Sequence, residues 1–183
     1  MFYSRVNDRI ELRLLQIADA DELFALTDSN RSYLRTWLPW LDGTNSVVDT
    51  KSFIEYTLET SASGRGLTAT ISYEGLIVGL VGYNQIDREN RIGYIGYWLA
   101  AEYQGKGIMT TSCQTICDYG FTDLNLNRLV INCATENQSS RSIPERLGFI
   151  HEGTIHDAEW LYDRFVNHET YALLDRDRQN IGL

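Results

Sequence analysis

The sequence predicts an α/β fold of one domain: a mixed, mostly antiparallel sheet with helices on both faces. Three observations lead there. Short β-branched or aromatic runs alternate with helical apolar stripes along the whole chain. Two strand-like runs meet at Glu74-Gly75, a pair suited to a tight hairpin turn. Ile92 to Leu99 reads as a strand covered on both sides, since Ile92, Tyr94, Ile95, Tyr97, Trp98 and Leu99 put apolar residues on both faces. No repeat, linker or low-complexity stretch divides residues 1–183, and that length suits a single domain with a good core.

The elements follow in order. Residues 9–16 alternate as a strand does. Asp19 to Thr27 reads as a helix with Leu23, Phe24 and Leu26 apolar. Asn30 is placed to cap a second helix, which carries Tyr33, Leu34 and Trp37 and ends near Pro39. The segment Trp37 to Leu41 is assigned to the core, with a substrate cleft as the alternative. Asp49 is read as the cap of a helix carrying Phe53, Ile54, Tyr56 and Leu58, and Ser61 to Gly66 as a loop. Thr68 to Tyr73 and Leu76 to Tyr83 are the hairpin strands, and Gln85 to Arg91 is a polar turn. Beyond the central strand, Met109, Cys113, Ile116 and Cys117 share one helical stripe. Asp123 to Asn127 breaks that pattern, and Leu129 to Ala134 is a short strand. Ser139 or Ser140 caps a helix running through Leu147. Phe149 to Ile155 and Leu161 to Leu174 are two closing strands.

Composition excludes several classes. A hydrophobic content of 43% and a charged content of 22% are those of a soluble globule. The net charge of -9 argues against non-specific nucleic-acid binding, which runs on excess Lys and Arg. It suits a basic partner, or a solvated acidic surface. No apolar run approaches a membrane span and the N-terminus lacks a signal-peptide core, so a cytoplasmic protein is expected. Cys113, Cys117 and Cys133 are odd in number and lie in core-like segments, which reads as buried thiols in a reducing compartment. His151, His156 and His168 lack metal-ligand spacing and are read as structural, so no metal is expected.

The informative stretch lies where the central strand becomes a helix. Gly93 and Gly96 interrupt the strand, which marks a bulge or a place where a ligand meets bare backbone. Gln104-Gly105-Lys106-Gly107 then leads into the helix. A Gly-x-Gly turn at such a junction lets backbone N–H groups converge on an anion, and the helix dipole favours negative charge there. No acid lies between Gly105 and Cys117. A P-loop is excluded because Gly107 follows Lys106 and Ala100 stands where the upstream glycine belongs. A dinucleotide fingerprint from Gly105 is excluded by Thr110.

Tyr103 to Thr110 resembles the acetyl-coenzyme-A pyrophosphate loop of the GNAT superfamily of N-acetyltransferases, Gln/Arg-x-x-Gly-x-Gly/Ala. Gln104 and Gly107 match, and Met109 departs at the last position. A second block, Asn137 to Phe149 with Glu152-Gly153 just after, resembles the family's Asn-x-x-Ala/Ser segment ending in Gly-Phe. The resemblance covers nearly the whole chain and is strongest to the ribosomal-protein serine/alanine N-terminal acetyltransferases. It implies a GNAT-like fold, acetyl-coenzyme A as co-substrate, and an amine acceptor. It implies diphosphate donors from Gln104, Gly105, Lys106, Gly107, Ile108, Met109 and Thr110, with Asn137 and Ser140 of the second block also at the cofactor. It implies an oxyanion donor at the backbone N–H of Trp98 or Leu99.

Much of the family carries a tyrosine seven residues after that Asn; here the position is Pro144. In the ribosomal-protein branch a Ser and a downstream Glu are the proposed acid and base, and the matching residues are Ser140 and Glu159. The bland alternatives are a helix cap for Ser140 and a turn carboxylate, between the last two strands, for Glu159. Arg141 is read as meeting a cofactor phosphate or forming a surface ion pair. The expected acceptor is the α-amine of a protein such as a ribosomal protein. A polyamine, a small-molecule amine and a catalytically silent coenzyme-A-binding regulatory domain are the alternatives, and a homo-oligomer stays open.

Overall fold

A computed structural model of the chain describes residues 2–181. The N-terminal strands β1 (Tyr3–Arg5) and β2 (Ile10–Leu14) pair antiparallel. Next come helices α1 (Ala20–Ser29), α2 (Arg31–Arg35) and α3 (Val47–Ala62). A meander follows, with β3 (Leu67–Tyr73), β4 (Leu76–Asp87) and β5 (Ile92–Leu99). Helix α4 (Ile108–Thr122) crosses to β6 (Arg128–Ala134), and α5 (Gln138–Arg146) leads to the closing hairpin of β7 (Ile150–Leu161) and β8 (Arg164–Leu174). These eight strands form one sheet in the order β1-β2-β3-β4-β5-β6-β8-β7. Every neighbouring pair is antiparallel except β5 and β6. The fold class is therefore as the sequence predicts.

Both faces of the sheet are covered. On one side Cys113, Ile116, Cys117 and Phe121 of α4 and Ile143 of α5 pack on Leu12, Ile71, Val81, Ile95 and Ile131. On the other, Ala20 and Leu23 of α1 and Ile54 of α3 pack on Leu15, Ile77 and Leu80. Tyr83 is the centre of the first core. It is 1% exposed, and its hydroxyl donates to the carbonyl of Ile116 at 2.7 Å. A Cβ on Gly93 would meet the Tyr83 ring at 2.6 Å, and one on Gly120 would meet its hydroxyl at 2.0 Å. Gly93 is thus a packing glycine rather than a bulge or ligand position. The bulge lies on the neighbouring strand β4, at Asn84.

Other local expectations shift for physical reasons. The hairpin turn at Glu74 and Gly75 holds, with φ of 52° and 87° as a primed turn requires. Strand β4 runs to Asp87, so the polar turn is shorter than expected. Ser46, extended at ψ 165°, caps α3 and accepts from Asp49 N; Asp49 returns the contact by accepting from Asn45 N and Ser46 Oγ. Asn30 offers α2 no side-chain cap. Its Nδ2 donates to Leu26 O, and its Oδ1 accepts from Ala101 N, tying α2 to the end of β5. Asn137, not Ser139 or Ser140, caps α5 by accepting from Ser140 N at 3.1 Å. Glu159 lies within β7, paired with Val166, and not in a turn.

The parallel pair β5 and β6 sets the site. Its register runs only from Ile92 opposite Arg128 to Ile95 opposite Ile131. Beyond it, β5 continues to Leu99 on β4, and β6 continues to Ala134 on β8. The strands therefore part like a V, and the backbone of residues 96–99 facing β6 has no strand partner. Buried backbone polar groups are normally paired, so an edge of this kind is a docking position for an extended ligand.

Candidate active site

Two cavities meet at the mouth of the V. The first, about 600 Å³, runs over the start of α4 and is lined by Tyr33, Leu34, Gln104, Gly105, Gly107 and Thr110 among others. The second, about 980 Å³, lies under α1 and α3 and the segment after α2. Six residues line both: Trp37, Leu38, Tyr97, Trp98, Asn137 and Ser140.

The first cavity has the chemistry of an anion groove. Gly105 and Gly107 have φ of 71° and 75°, and no atom lies within 4 Å of where their Cβ would stand. That exposes bare backbone. Gly107 is the N-cap of α4, and the first N–H groups of a helix have no intrahelical acceptor. No acid sits in that first turn. The groove thus fits a diphosphate on both shape and charge. Ile108 and Met109 are 1% and 7% exposed with side chains in the core, so only their amides are available. Gln104 reaches Tyr33 Oη on α2. Lys106 lies outside the lining, its Nζ 5.0 Å from the Tyr103 ring centroid. Arg141 is turned inward: its Nε donates to Tyr171 Oη and its Nη1 to Thr135 O, each at 3.0 Å. The cation that lines the groove is Arg146, which forms no ion pair among the described residues and which sequence reasoning passed over.

Ser140 stands at the junction. Its Oγ donates to Cys133 Sγ at 3.3 Å and lies 3.4 Å from Tyr97 Oη. Burial pushes the Cys133 thiol up from its ordinary value, against the hydrogen bonds of Ser140 and Tyr97, so this cysteine stays a neutral thiol. Burial likewise keeps the Tyr97 hydroxyl protonated, well above its usual range.

Glu159 enters the second cavity from β7, and His168 meets it from β8, with Oε2 and Nε2 3.3 Å apart. Among the described residues Glu159 is the only carboxylate in the lining, which contains no Lys or Arg. Trp37, Leu38, Pro39 and Trp40 form its wall. The aromatic segment is therefore a cleft wall, and only Leu41, fully buried, joins the core. A strap holds that wall to the closing hairpin. Tyr162 Oη donates to Leu38 O at 2.6 Å, Arg35 lies over the Tyr162 ring at 3.8 Å, and Asp42 grips Arg35 at 2.7 and 2.8 Å.

A splayed parallel strand pair beside an anion-ready helix start, opening on a second cavity, defines a coenzyme-A-dependent acyltransferase. The acetyltransferase (GNAT) domain family matches residues 9–150, and the chain belongs to that family, as an acetyl-coenzyme-A-dependent N-acetyltransferase. It is 37% identical over 181 residues to a putative ribosomal N-acetyltransferase of Bacillus subtilis (strain 168), covering 97% of each chain. The fold is similar to that of a ribosomal L7/L12 α-N-protein acetyltransferase solved with coenzyme A held as a cysteine disulfide. The TM-score is 0.92 at 27% identity, over 94% of this chain and 98% of that one. It is also similar to a microcin C7 self-immunity acetyltransferase solved with acetyl-coenzyme A and AMP, with TM-score 0.88 and 33% identity over 92% and 94%. Among the described residues no cluster of His, Cys, Asp and Glu could hold a metal, and no helix is long and apolar enough to cross a membrane.

Proposed function

We propose that the acceptor is the α-amine at the N-terminus of a protein, such as a ribosomal protein. The observation that carries this reading is the single carboxylate of the acceptor cavity. One Glu159 in an otherwise uncharged, aromatic-walled chamber suits one cation about to lose its proton. A polyamine carries several charges, and burying them beside one carboxylate leaves the rest unpaired, at a cost of several kcal/mol per charge, on the order given by ion desolvation. The resemblance to a ribosomal α-N-protein acetyltransferase supports the same choice.

The roles follow from position. Amides of Gln104 to Thr110, with Arg146, receive the cofactor's phosphates, and the free edge of β5 pairs with its extended arm. One backbone N–H at Trp98 or Leu99, on the unpaired side of β5, stabilises charge building on the carbonyl oxygen. Glu159, fixed by His168, takes the amine's proton directly or through water. Ser140 Oγ gives a hydrogen bond to the departing sulfur. An alkanethiol of pKa ~8.5 leaves with little help, so a weak donor suffices. An α-amine of pKa ~8 needs only a weak base, whereas a lysine near ~10.4 needs a stronger one.

A second reading has the α-amine on a small aminoacyl nucleotide. The similarity to the enzyme solved with AMP favours it, as does the aromatic wall of Trp37, Trp40 and Phe53, which suits a planar base. An acceptor screen read by mass spectrometry separates these readings. Peptides with free Ser or Ala N-termini are expected to gain one acetyl at the α-nitrogen, with spermidine and lysine side chains left untouched. Acetylation of spermidine in preference to every peptide overturns the proposal, and turnover of aminoacyl nucleotides alone replaces it with the second reading. Tight cofactor binding with no turnover on any amine points to the silent domain.

A further inference from the structure

Helix α5 contains Pro144, which has no N–H to give to the carbonyl four residues earlier, and that carbonyl belongs to Ser140. The orphaned oxygen is not left empty. Tyr97 Oη, reaching over from β5, donates to it at 2.9 Å. The same hydroxyl lies 3.4 Å from Ser140 Oγ. We propose that Tyr97 is a positioning residue: it replaces the missing helical donor and so fixes the first turn of α5, and with it Ser140 Oγ, against the parted end of β5. The proposal rests on the reading of Ser140 as the donor to the leaving sulfur.

Three features make this more than ordinary packing. The bond joins the two elements that bound the junction of the cavities, so its loss changes the spacing across which acyl transfer runs. The hydroxyl is held protonated by burial, and thus stays a donor across the working pH range. The carbonyl it serves is freed by one identifiable residue, which makes the arrangement reversible by mutation.

The experiment is a double-mutant cycle between Tyr97 and Pro144. Turnover is read as thiol release from acetyl-coenzyme A with a pool of N-terminal peptides and small amines. Tyr97→Phe is expected to lower kcat about tenfold, with KM for acetyl-coenzyme A within about twofold of wild type, as loss of orientation rather than binding does. Pro144→Ala restores the helical N–H to the Ser140 carbonyl. In that background Tyr97→Phe is expected to cost about twofold or less. Tyr97→Phe added to Ser140→Ala is expected to cost nothing further. Amide exchange over residues 138–144, which needs no acceptor, should rise in Tyr97→Phe and return towards normal in Tyr97→Phe/Pro144→Ala. Equal losses from Tyr97→Phe in the wild-type and Pro144→Ala backgrounds, or wild-type turnover and exchange in Tyr97→Phe, overturn the proposal while leaving Ser140 in place. A loss in Tyr97→Phe with none in Ser140→Ala overturns both and makes Tyr97 itself the donor.

Discussion

Glu159 Oε2 and His168 Nε2 meet 3.3 Å apart across β7 and β8, both lining the larger of the two cavities. Their side chains are 30% and 20% exposed, so the carboxylate is within reach of water yet held on one side. His168→Ala removes that hold. The predicted result is a loss of about tenfold in kcat, smaller than the loss in Glu159→Gln, with the cofactor's KM unchanged. Steady-state kinetics on an N-terminal peptide checks it.

Gly107 is predicted to matter for backbone conformation, not for space in the free protein. A Cβ there meets nothing, but at φ 75° a branched residue is strained by roughly 1–2 kcal/mol, so the N-cap of α4 shifts. Gly107→Val should fold and bind acetyl-coenzyme A at least about tenfold more weakly, since the amides around the cap no longer converge. Isothermal calorimetry reads this directly, and unchanged affinity in a folded variant would remove the loop from the site.

The two arginines of α5 are predicted to behave oppositely. Arg146 lines the groove and forms no ion pair among the described residues, whereas Arg141 is bonded to Tyr171 and Thr135. Arg146→Ala should weaken cofactor binding by about three- to tenfold, the scale of one exposed charge-assisted contact, with little change in Tm. Arg141→Ala should lower Tm while sparing cofactor affinity. Paired calorimetry and thermal melts distinguish them.

A buried cluster behind α5 gives a pH-dependent stability. Glu169 is 5% exposed; burial raises its pKa, but hydrogen bonds from Thr135, His151 and Thr154 outweigh that and hold it below the ordinary value. A depressed folded pKa contributes stability above the unfolded value, near ~4.3, and that stability is lost as pH falls through the folded value. Wild type should therefore lose Tm in acid more steeply than Glu169→Gln. Thermal melts across the acid range check the slopes.

The parts of the fold legible in the sequence were those with local causes. The Glu74-Gly75 turn follows from φ preferences, the central strand from its composition, and the start of α4 from Gly105 and Gly107. Caps were harder, since Ser46 and Asp49, or Asn137 and Ser140, are chemically alike, and only backbone angles show which lies outside the helix. Long-range pairings were harder still. Glu159 faces His168 because a bulge at residues 156–158, with Asp157 at φ 47°, resets the register of β7, and no periodicity announces it. The aromatic segment became a cleft wall because Tyr162, 124 residues away from Leu38, holds it open. Arg146 was missed because nothing local separates it from Arg141.

The most direct test of the central claim, that Glu159 is the base, is the pH profile of Glu159→Gln beside wild type. It is measured at saturating acetyl-coenzyme A from about pH 6 to about pH 9.5, spanning the α-amine pKa near ~8. The account predicts a defect of about a hundredfold at the acid end, where the amine is protonated, shrinking steeply as the amine deprotonates in solution. Ser140→Ala, measured alongside, should show no such recovery. Parallel profiles for wild type and Glu159→Gln would contradict the claim, and the amine would then enter the cavity already neutral.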